Sequence, residues 1–477
     1  MIKFELVNNK IRIAGELVPA IRDFFSETDA TARFRLKGRA RHFADIRNYC
    51  ITPTGLFEAG LFFDILRYIK EVYPDEELHI DSNVSDIIKP TLAATDVYDE
   101  LTLPLRDYQL AACKKAIQFG RGILKMGTGA GKTLTICSLL SSMFKSTGDT
   151  FKCLLIVPDL GLVNQTFSDF SEYDAPFKYT KWSGKNKPDF TANVIIANLG
   201  ILQSQFKDND WLEKVDALVI DECHKVKKSN KVSKMVQQIR TVHKFGLTGT
   251  MPDGKVDEWN IIGKIGSIIY EKDSFQLRTE KHLTPASTTI IESEFLKSPA
   301  YKTGADAKLN YRLELDFIYE NQFRNNMINQ ICANFNNNIL VLVNHLKHGE
   351  TLYDLMSTLK DKRVYFVQGE LEVEERENIK RIMEVESNVV CIAMSSIFST
   401  GVNIKNIHMI VFAAGGKSSI RTIQTIGRGL RLHDSKDNLR IIDIADQLKY
   451  GQKHVARRKE IYEQERIPYK IVQVTEK

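Results

Sequence analysis

The sequence predicts an α/β protein: two parallel-sheet lobes of comparable size, preceded by a small α/β (α+β) unit. Three observations predict it. Short apolar runs alternate with helical stretches from Leu105 to about Tyr270, and a second such series runs from Ile339 to Ile444. The first series carries a glycine-rich turn between a strand and a helix, and an acidic pair at the end of a later strand. At 477 residues the chain is too long for one ordinary core.

The elements follow in order. Residues 1–95 form the small unit. Ile2–Val7 and Lys10–Ile13 read as strands, Val18–Phe25 as an amphipathic segment, and Leu56–Val72 has helical spacing. Pro90 to Pro104 is a connector. Residues 96–275 form the first lobe, with strands at Ile123–Met126, Cys153–Val157, Val194–Ala197, Ala217–Ile220 and Lys244–Leu247. Ala217–Ile220 is a continuous apolar run, as expected for a buried parallel strand. A polar stretch with Thr and Ser follows at about 271–290. Residues 276–448 form the second lobe, with strands at Ile339–Val343, Arg363–Val367, Val389–Ala393, His408–Phe412 and Arg440–Ile444. Residues 449–477 are a basic extension holding Lys449, Lys453, His454, Arg457, Arg458 and Lys459. Glu460, Glu463 and Glu465 follow closely, which favours an ordinary helix face there.

Composition narrows the class. The chain is 43% hydrophobic and 26% charged, as in globular proteins. No run of eighteen apolar residues suggests a membrane span, and the first residues lack a signal-peptide core. Seven cysteines without C-x-x-C spacing argue for a reducing cytoplasm and against zinc. The net charge of +6 permits a nucleic-acid partner.

Residues 126–133 read Met-Gly-Thr-Gly-Ala-Gly-Lys-Thr. Gly127, Gly129 and Gly131 let the backbone turn tightly, and Thr128 and Ala130 complete the loop. The following helix offers its N-terminus to an anion. Lys132 is placed to reach the β- and γ-phosphates of ATP, and the Thr133 hydroxyl to ligate Mg2+. Met126 stands where the motif G-x-x-x-x-G-K-[ST] has its first glycine. An accidental glycine turn is the plainer alternative, and the strand–turn–Lys-Thr–helix context weighs against it. Asp221 and Glu222 close the strand Ala217–Ile220, where open α/β sheets bind ligands. Asp221 is the candidate magnesium ligand, and Glu222 the base that orients water. His224 would couple the site to a neighbouring motif. A solvated strand end is the plainer alternative, and the phosphate loop upstream weighs against it.

Two lobes suggest a nucleotide between them and a cationic group from the second. Gln424 to Arg431 fits Q-x-x-G-R-x-x-R. On a helix Gln424, Gly427, Arg428 and Arg431 share one face. Arginines suit phosphate because they stay charged and fork onto its oxygens.

With these motifs the chain resembles superfamily 2 helicases over residues 105 to about 446, which implies RecA-like motor lobes. Arg106 and Gln109, in Leu-Arg-Asp-Tyr-Gln, look like an adenine-reading motif. Val157-Pro158-Asp159-Leu160 through Gln165, and Ile195 to Leu199 with Asn198, resemble strand-contact motifs. Leu247-Thr248-Gly249-Thr250 looks like the segment that relays hydrolysis to strand grip. Ser399-Thr400-Gly401-Val402-Asn403 resembles motif V, with Thr400 on nucleic acid and Gly401 at the nucleotide, and Asn344 lies where motif IV would be. Phe-Gly-Leu-Thr-Gly at 245–249, Val-x-Gly-Glu at 367–370 and Phe-Ser-Thr-Gly-Val at 398–402 are similar to the phage UvsW-type branch-migration helicases. That resemblance implies a small N-terminal DNA-binding domain and ATP-driven unwinding in recombination, repair and replication. The implied substrates are branched or duplex DNA: forks, Holliday junctions and R-loops. A monomer is expected, in the host cytoplasm if the chain is phage-encoded. An RNA helicase, a restriction-type duplex translocase and a non-enzymatic nucleotide-gated DNA-binding factor are the alternatives.

One feature needs no family. Arg33, Arg35, Lys37, Arg39 and Arg41 recur with period two, so a strand would put all five on one face. A duplex backbone is the obvious partner for such a row, and a solvated face the plainer one.

Overall fold

The computed structural model describes residues 1–29, 46–184, 187–205, 210–226, 231–252, 254–304, 307–369, 371, 373–395, 404–413 and 425–477. These fall into two compact units, the first carrying nearly all residues up to Lys272 and the second Asp273–Lys477. No helix among them is long and apolar enough to cross a membrane.

The first unit opens with β1 (Ile2–Val7), β2 (Lys10–Ala14) and α1 (Val18–Phe24). A short antiparallel ladder follows between β3 (Ser26–Thr28) and β4 (Arg47–Tyr49). Then come β5 (Leu56–Glu58), α2 (Phe62–Val72), β6 (Leu78–Ile80) and α3 (Ser82–Ile88). The sheet order is β5-β2-β1-β6. Helical spacing over Leu56–Val72 therefore needs correction at its start, because Leu56–Glu58 pairs with Lys10–Arg12. Gly55 makes the turn into that pairing at φ +76°, and a Cβ there would lie 2.1 Å from Ile13 O. The basic row Arg33, Arg35, Lys37, Arg39 and Arg41 lies outside the described residues.

The first parallel sheet belongs to the same unit. Its elements are α4 (Asp107–Phe119), β7 (Gly122–Met126), α5 (Lys132–Thr147), β8 (Cys153–Val157), α6 (Leu160–Glu172), β9 (Tyr179–Trp182), β10 (Val194–Asn198) and α7 (Leu199–Gln205). β11 (Ala217–Asp221), α8 (Lys231–Gln238), β12 (His243–Thr248), α9 (Lys255–Ile265) and β13 (Ile268–Lys272) complete it. All strands are parallel, in the order β13-β7-β12-β11-β8-β10-β9. The five strands expected from sequence occupy its middle. The edge strands β9 and β13 are half-exposed and mixed in polarity, so they lack the continuous apolar signal. One hydrophobic cluster runs from Ile2, Phe4 and Phe62 through Ile261 and Ile262 to Leu154 and Ile195. The N-terminal sheet and this lobe thus share a core.

The second unit contains α10 (Ser274–Thr279), β14 (Ala286–Glu294), α11 (Ala307–Glu320), α12 (Gln322–Ala333), β15 (Ile339–Val343), α13 (Leu346–Met356), β16 (Arg363–Val367) and α14 (Val373–Val385). β17 (Val389–Met394), β18 (Met409–Phe412), β19 (Leu439–Asp446), α15 (Gly451–Gln464) and β20 (Tyr469–Thr475) follow. Its sheet is also all parallel, in the order β16-β17-β15-β18-β19-β14-β20. β14 starts within the polar stretch read from sequence, and β20 comes from the segment read as an extension. In β14 the small and polar residues Ala286 and Thr288 face inward with Ile290, a pattern that composition alone conceals. Part of the C-terminal basic cluster is internal: Arg458 is buried against Asp443, and Lys459 reaches Glu292 at 3.1 Å.

Candidate nucleotide and nucleic-acid sites

β7, β12 and β11 are neighbours, so Met126, Thr248 and Asp221 end along one sheet edge. Met126 is fully buried as the last residue of β7. The departure from the glycine consensus thus falls on the strand and leaves the turn intact. Gly127 N donates to Lys272 O at 2.9 Å. Gly129 and Gly131 have φ of +87° and +72°, left-handed values that glycine adopts without cost. α5 then starts at Lys132, with its first N–H groups free for an anion. Gln109 is buried at the start of α4. Its Oε1 accepts Arg106 N at 2.9 Å and its Nε2 donates to Gly131 O at 3.3 Å. The amide therefore ties α4 to the phosphate loop.

Lys132 Nζ lies 3.8 Å from Glu222 Oε1. Glu222 sits at φ +52°, a left-handed conformation that turns its side chain off the strand axis. His224 Nδ1 is 3.1 Å from Glu222 Oε2 and 2.9 Å from Thr248 Oγ1. Thr248 Oγ1 in turn donates to Thr250 O at 2.8 Å. Cys223 packs over Gly246, where a Cβ would stand 2.8 Å from its Sγ. Burial pushes the Asp221 carboxyl up, and the Glu222 charge beside it adds to the shift. Burial acts upward on Glu222 too, but Lys132 and His224 outweigh it and hold that carboxyl low. Two adjacent carboxylates are thereby made chemically distinct, the second firmly ionised.

In the second unit, residues 425–429 are helical and Arg431 lies past the helix end. This corrects the expectation that Arg431 continues the helical face of Arg428. Thr284 N donates to Leu430 O at 2.7 Å and Thr284 Oγ1 to Arg431 O at 3.2 Å, which holds the segment after the helix against the start of β14. Lys436 Nζ donates to Gly429 O at 2.9 Å, and burial lowers its ammonium to about 8. Nothing in the sequence around Thr284 or Lys436 signals these roles. Gln424, Thr400 and Gly401 lie outside the described residues.

Pro158 and Asn198 follow or end the neighbouring strands β8 and β10, with Asn198 opposite Val157. Asn198 Oδ1 accepts Ile201 N at 2.8 Å, so it caps α7. Gln165 is half-buried on α6, and Asn344 is exposed just past β15.

A phosphate loop on one all-parallel lobe, acidic residues at a neighbouring strand end and a second such lobe define an ATP-dependent motor of the helicase superfamily 2 type. Residues 102–253 match the family described as the res subunit of type III restriction enzymes, and residues 323–433 match the helicase conserved C-terminal domain. The ATP-dependent DNA helicase uvsW of Enterobacteria phage T4 is 31% identical over 348 residues, covering 71% of this chain and 68% of that protein. The DNA 3'-5' translocase XPB2 of Sulfurisphaera tokodaii is 28% identical over 213 residues, 44% of each chain. A crystal structure of the helicase MrfA bound to DNA shares the fold, with a TM-score of 0.57 at 15% identity over 77% of this chain and 50% of that one. The chain belongs to the UvsW-type superfamily 2 helicases and is an ATP-dependent DNA helicase.

Proposed function

We propose that the chain uses ATP turnover to move branch points in DNA, regressing forks, migrating Holliday junctions and unwinding R-loops, as a monomer. One observation carries this reading. Five cations at period two lie within residues 30–45, and the ends of that segment are held together in the ATP-binding unit. Asp29 N donates to Ile46 O at 2.7 Å beside the β3–β4 ladder. Phosphate contacts of this kind position a duplex without reading its sequence, which suits an enzyme that acts at any junction.

In the chemistry we propose, Lys132 meets the β- and γ-phosphates, and Glu222, ionised, orients the attacking water. His224 and Thr248 hold Glu222 in place. Arg428 and Arg431 supply positive charge to the transition state. The Thr133 hydroxyl and the Asp221 carboxylate would hold magnesium. This oxygen pair suits a hard cation that takes one or two carboxylates plus phosphate oxygens and water. No cluster of three or more His, Cys, Asp and Glu competes with it among the described residues. When bound, magnesium neutralises charge on the phosphates.

The test is fork binding across a salt series for the wild type and for Arg33→Ser/Arg35→Ser/Lys37→Ser, with junction migration assayed alongside. Three lost contacts flatten log K against log salt by roughly 2–3 units. Superimposed lines would make the basic row a solvated face. Equal ATPase stimulation by RNA and by forks would favour the RNA helicase.

A further inference from the structure

α9 starts shortly after the Thr248–Thr250 segment, and residues of the N-terminal region line it along its length. At its start, Glu27 Oε2 on β3 accepts Val256 N at 3.3 Å. The helix's own N-cap, Gly254, has no side chain to do this, and its backbone leaves Glu27 Oε2 3.5 Å from a would-be Cβ. A carboxylate there satisfies an orphan donor and meets the positive end of the helix dipole. Midway, Trp259 packs on Phe25 at 4.9 Å and on Phe24 at 5.9 Å between ring centroids. Near its end the backbones touch: a Cβ on Gly60 would stand 2.1 Å from Ile262 O, and one on Gly263 2.9 Å from Glu58 Cβ. Beyond the helix, buried Arg121 donates to Ile87 O at 2.8 Å and to Ile265 O at 2.9 Å. Arg121 directly precedes β7, the strand that leads into the phosphate loop.

We propose that Glu27 is a positioning residue for ATP hydrolysis: by capping α9 it seats the Thr248–Thr250 segment against Glu222 and His224. The proposal rests on the hydrolytic role given to Glu222 above, and is independent of which nucleic acid is bound. An N-terminal carboxylate remote from the nucleotide then sets the geometry of the attacking water. The β3–β4 ladder that frames the basic segment becomes mechanically continuous with the catalytic carboxylate.

Steady-state ATPase of the full chain tests it, with Glu27→Ala, Glu27→Gln and Glu222→Gln compared to the wild type. Loss of one cap is expected to lower kcat roughly fivefold in Glu27→Ala, with KM for ATP within about twofold. Glu27→Gln keeps the acceptor oxygen and should restore most of kcat. Hydrogen exchange at Thr250 and Val256 should quicken in Glu27→Ala while the melting temperature falls by no more than about 2–4 °C. An unchanged kcat in Glu27→Ala, or a Gln variant as impaired as the Ala variant, overturns the proposal. Normal turnover in Glu222→Gln would instead remove the site assignment on which it stands. A fall in kcat that tracks a lower melting temperature, with no local change in exchange, would make Glu27 a structural residue only and also overturns it.

Discussion

Lys132 Nζ and Glu222 Oε1 lie 3.8 Å apart, although one begins α5 and the other follows β11. The pair is mostly buried, with side chains 12% and 16% exposed. Each charge therefore sees the other with little screening. Incoming phosphate would compete with Glu222 for the ammonium, leaving the carboxylate to His224 and to water.

Lys132→Ala should abolish ATP turnover and leave fork binding largely intact. Glu222→Gln should still bind ATP and lose turnover by roughly 10²–10⁴-fold, the range for a positioned base. ATPase, nucleotide binding and gel-shift assays on the two variants check this. Substantial hydrolysis in either would mean the site is elsewhere.

Arg428→Ala and Arg431→Ala should each lower kcat by roughly 10²–10³-fold, with a smaller change in KM. Charge that develops in the transition state is what a finger stabilises. If KM alone rises, these arginines hold only the ground state.

Arg458 and Asp443 form a buried ion pair, with Nε–Oδ2 at 2.8 Å and Nη2–Oδ1 at 2.6 Å. Tyr462 Oη also donates to Asp443 Oδ2 at 2.8 Å. Arg458→Met strands the carboxylate in the core of the second unit and should cost about 3–5 kcal/mol. Denaturant unfolding measures it. The double change Arg458→Met/Asp443→Leu should recover much of the loss, because no charge is then left unpaired.

His348 is fully buried, stacked on Tyr319 at 4.8 Å, with Nε2 3.2 Å from Asn325 Oδ1. Burial, with Arg324 and His345 nearby, lowers its imidazolium to about 2 from 6.5. Between those values the unfolded chain binds a proton that the folded one refuses. Stability is therefore full above pH 6.5 and falls as pH drops below it, by up to about 1.4 kcal/mol per pH unit. Thermal melts from neutral pH into mild acid should show this slope, and His348→Gln should flatten it. An unchanged slope in the variant would place the acid sensitivity in other groups.

Much of the nucleotide site was legible because its parts are local. Gly127 to Thr133 and Asp221 to His224 are contiguous, and each closes a strand whose apolar run is easy to see. What was not legible came from polarity at the edges. β14 buries Thr288 beside Ile290, and β20 is exposed along most of its length, so neither gives a continuous apolar run. Arg458 read as part of a basic helix face, yet it is the buried partner of Asp443. A charge run cannot say which of its members turns inward.

By itself the sequence determined the α/β class, the two lobes, the phosphate loop and the acidic pair. Those depend on period, turn chemistry and neighbours a few residues away. Only the tertiary structure decided that Thr248 stands against His224, that Thr284 holds the carbonyls of Leu430 and Arg431, and that Glu27 caps α9. Each of these joins residues more than twenty positions apart. Such contacts are fixed by how strands and helices pack, and the chain between the partners carries no trace of them.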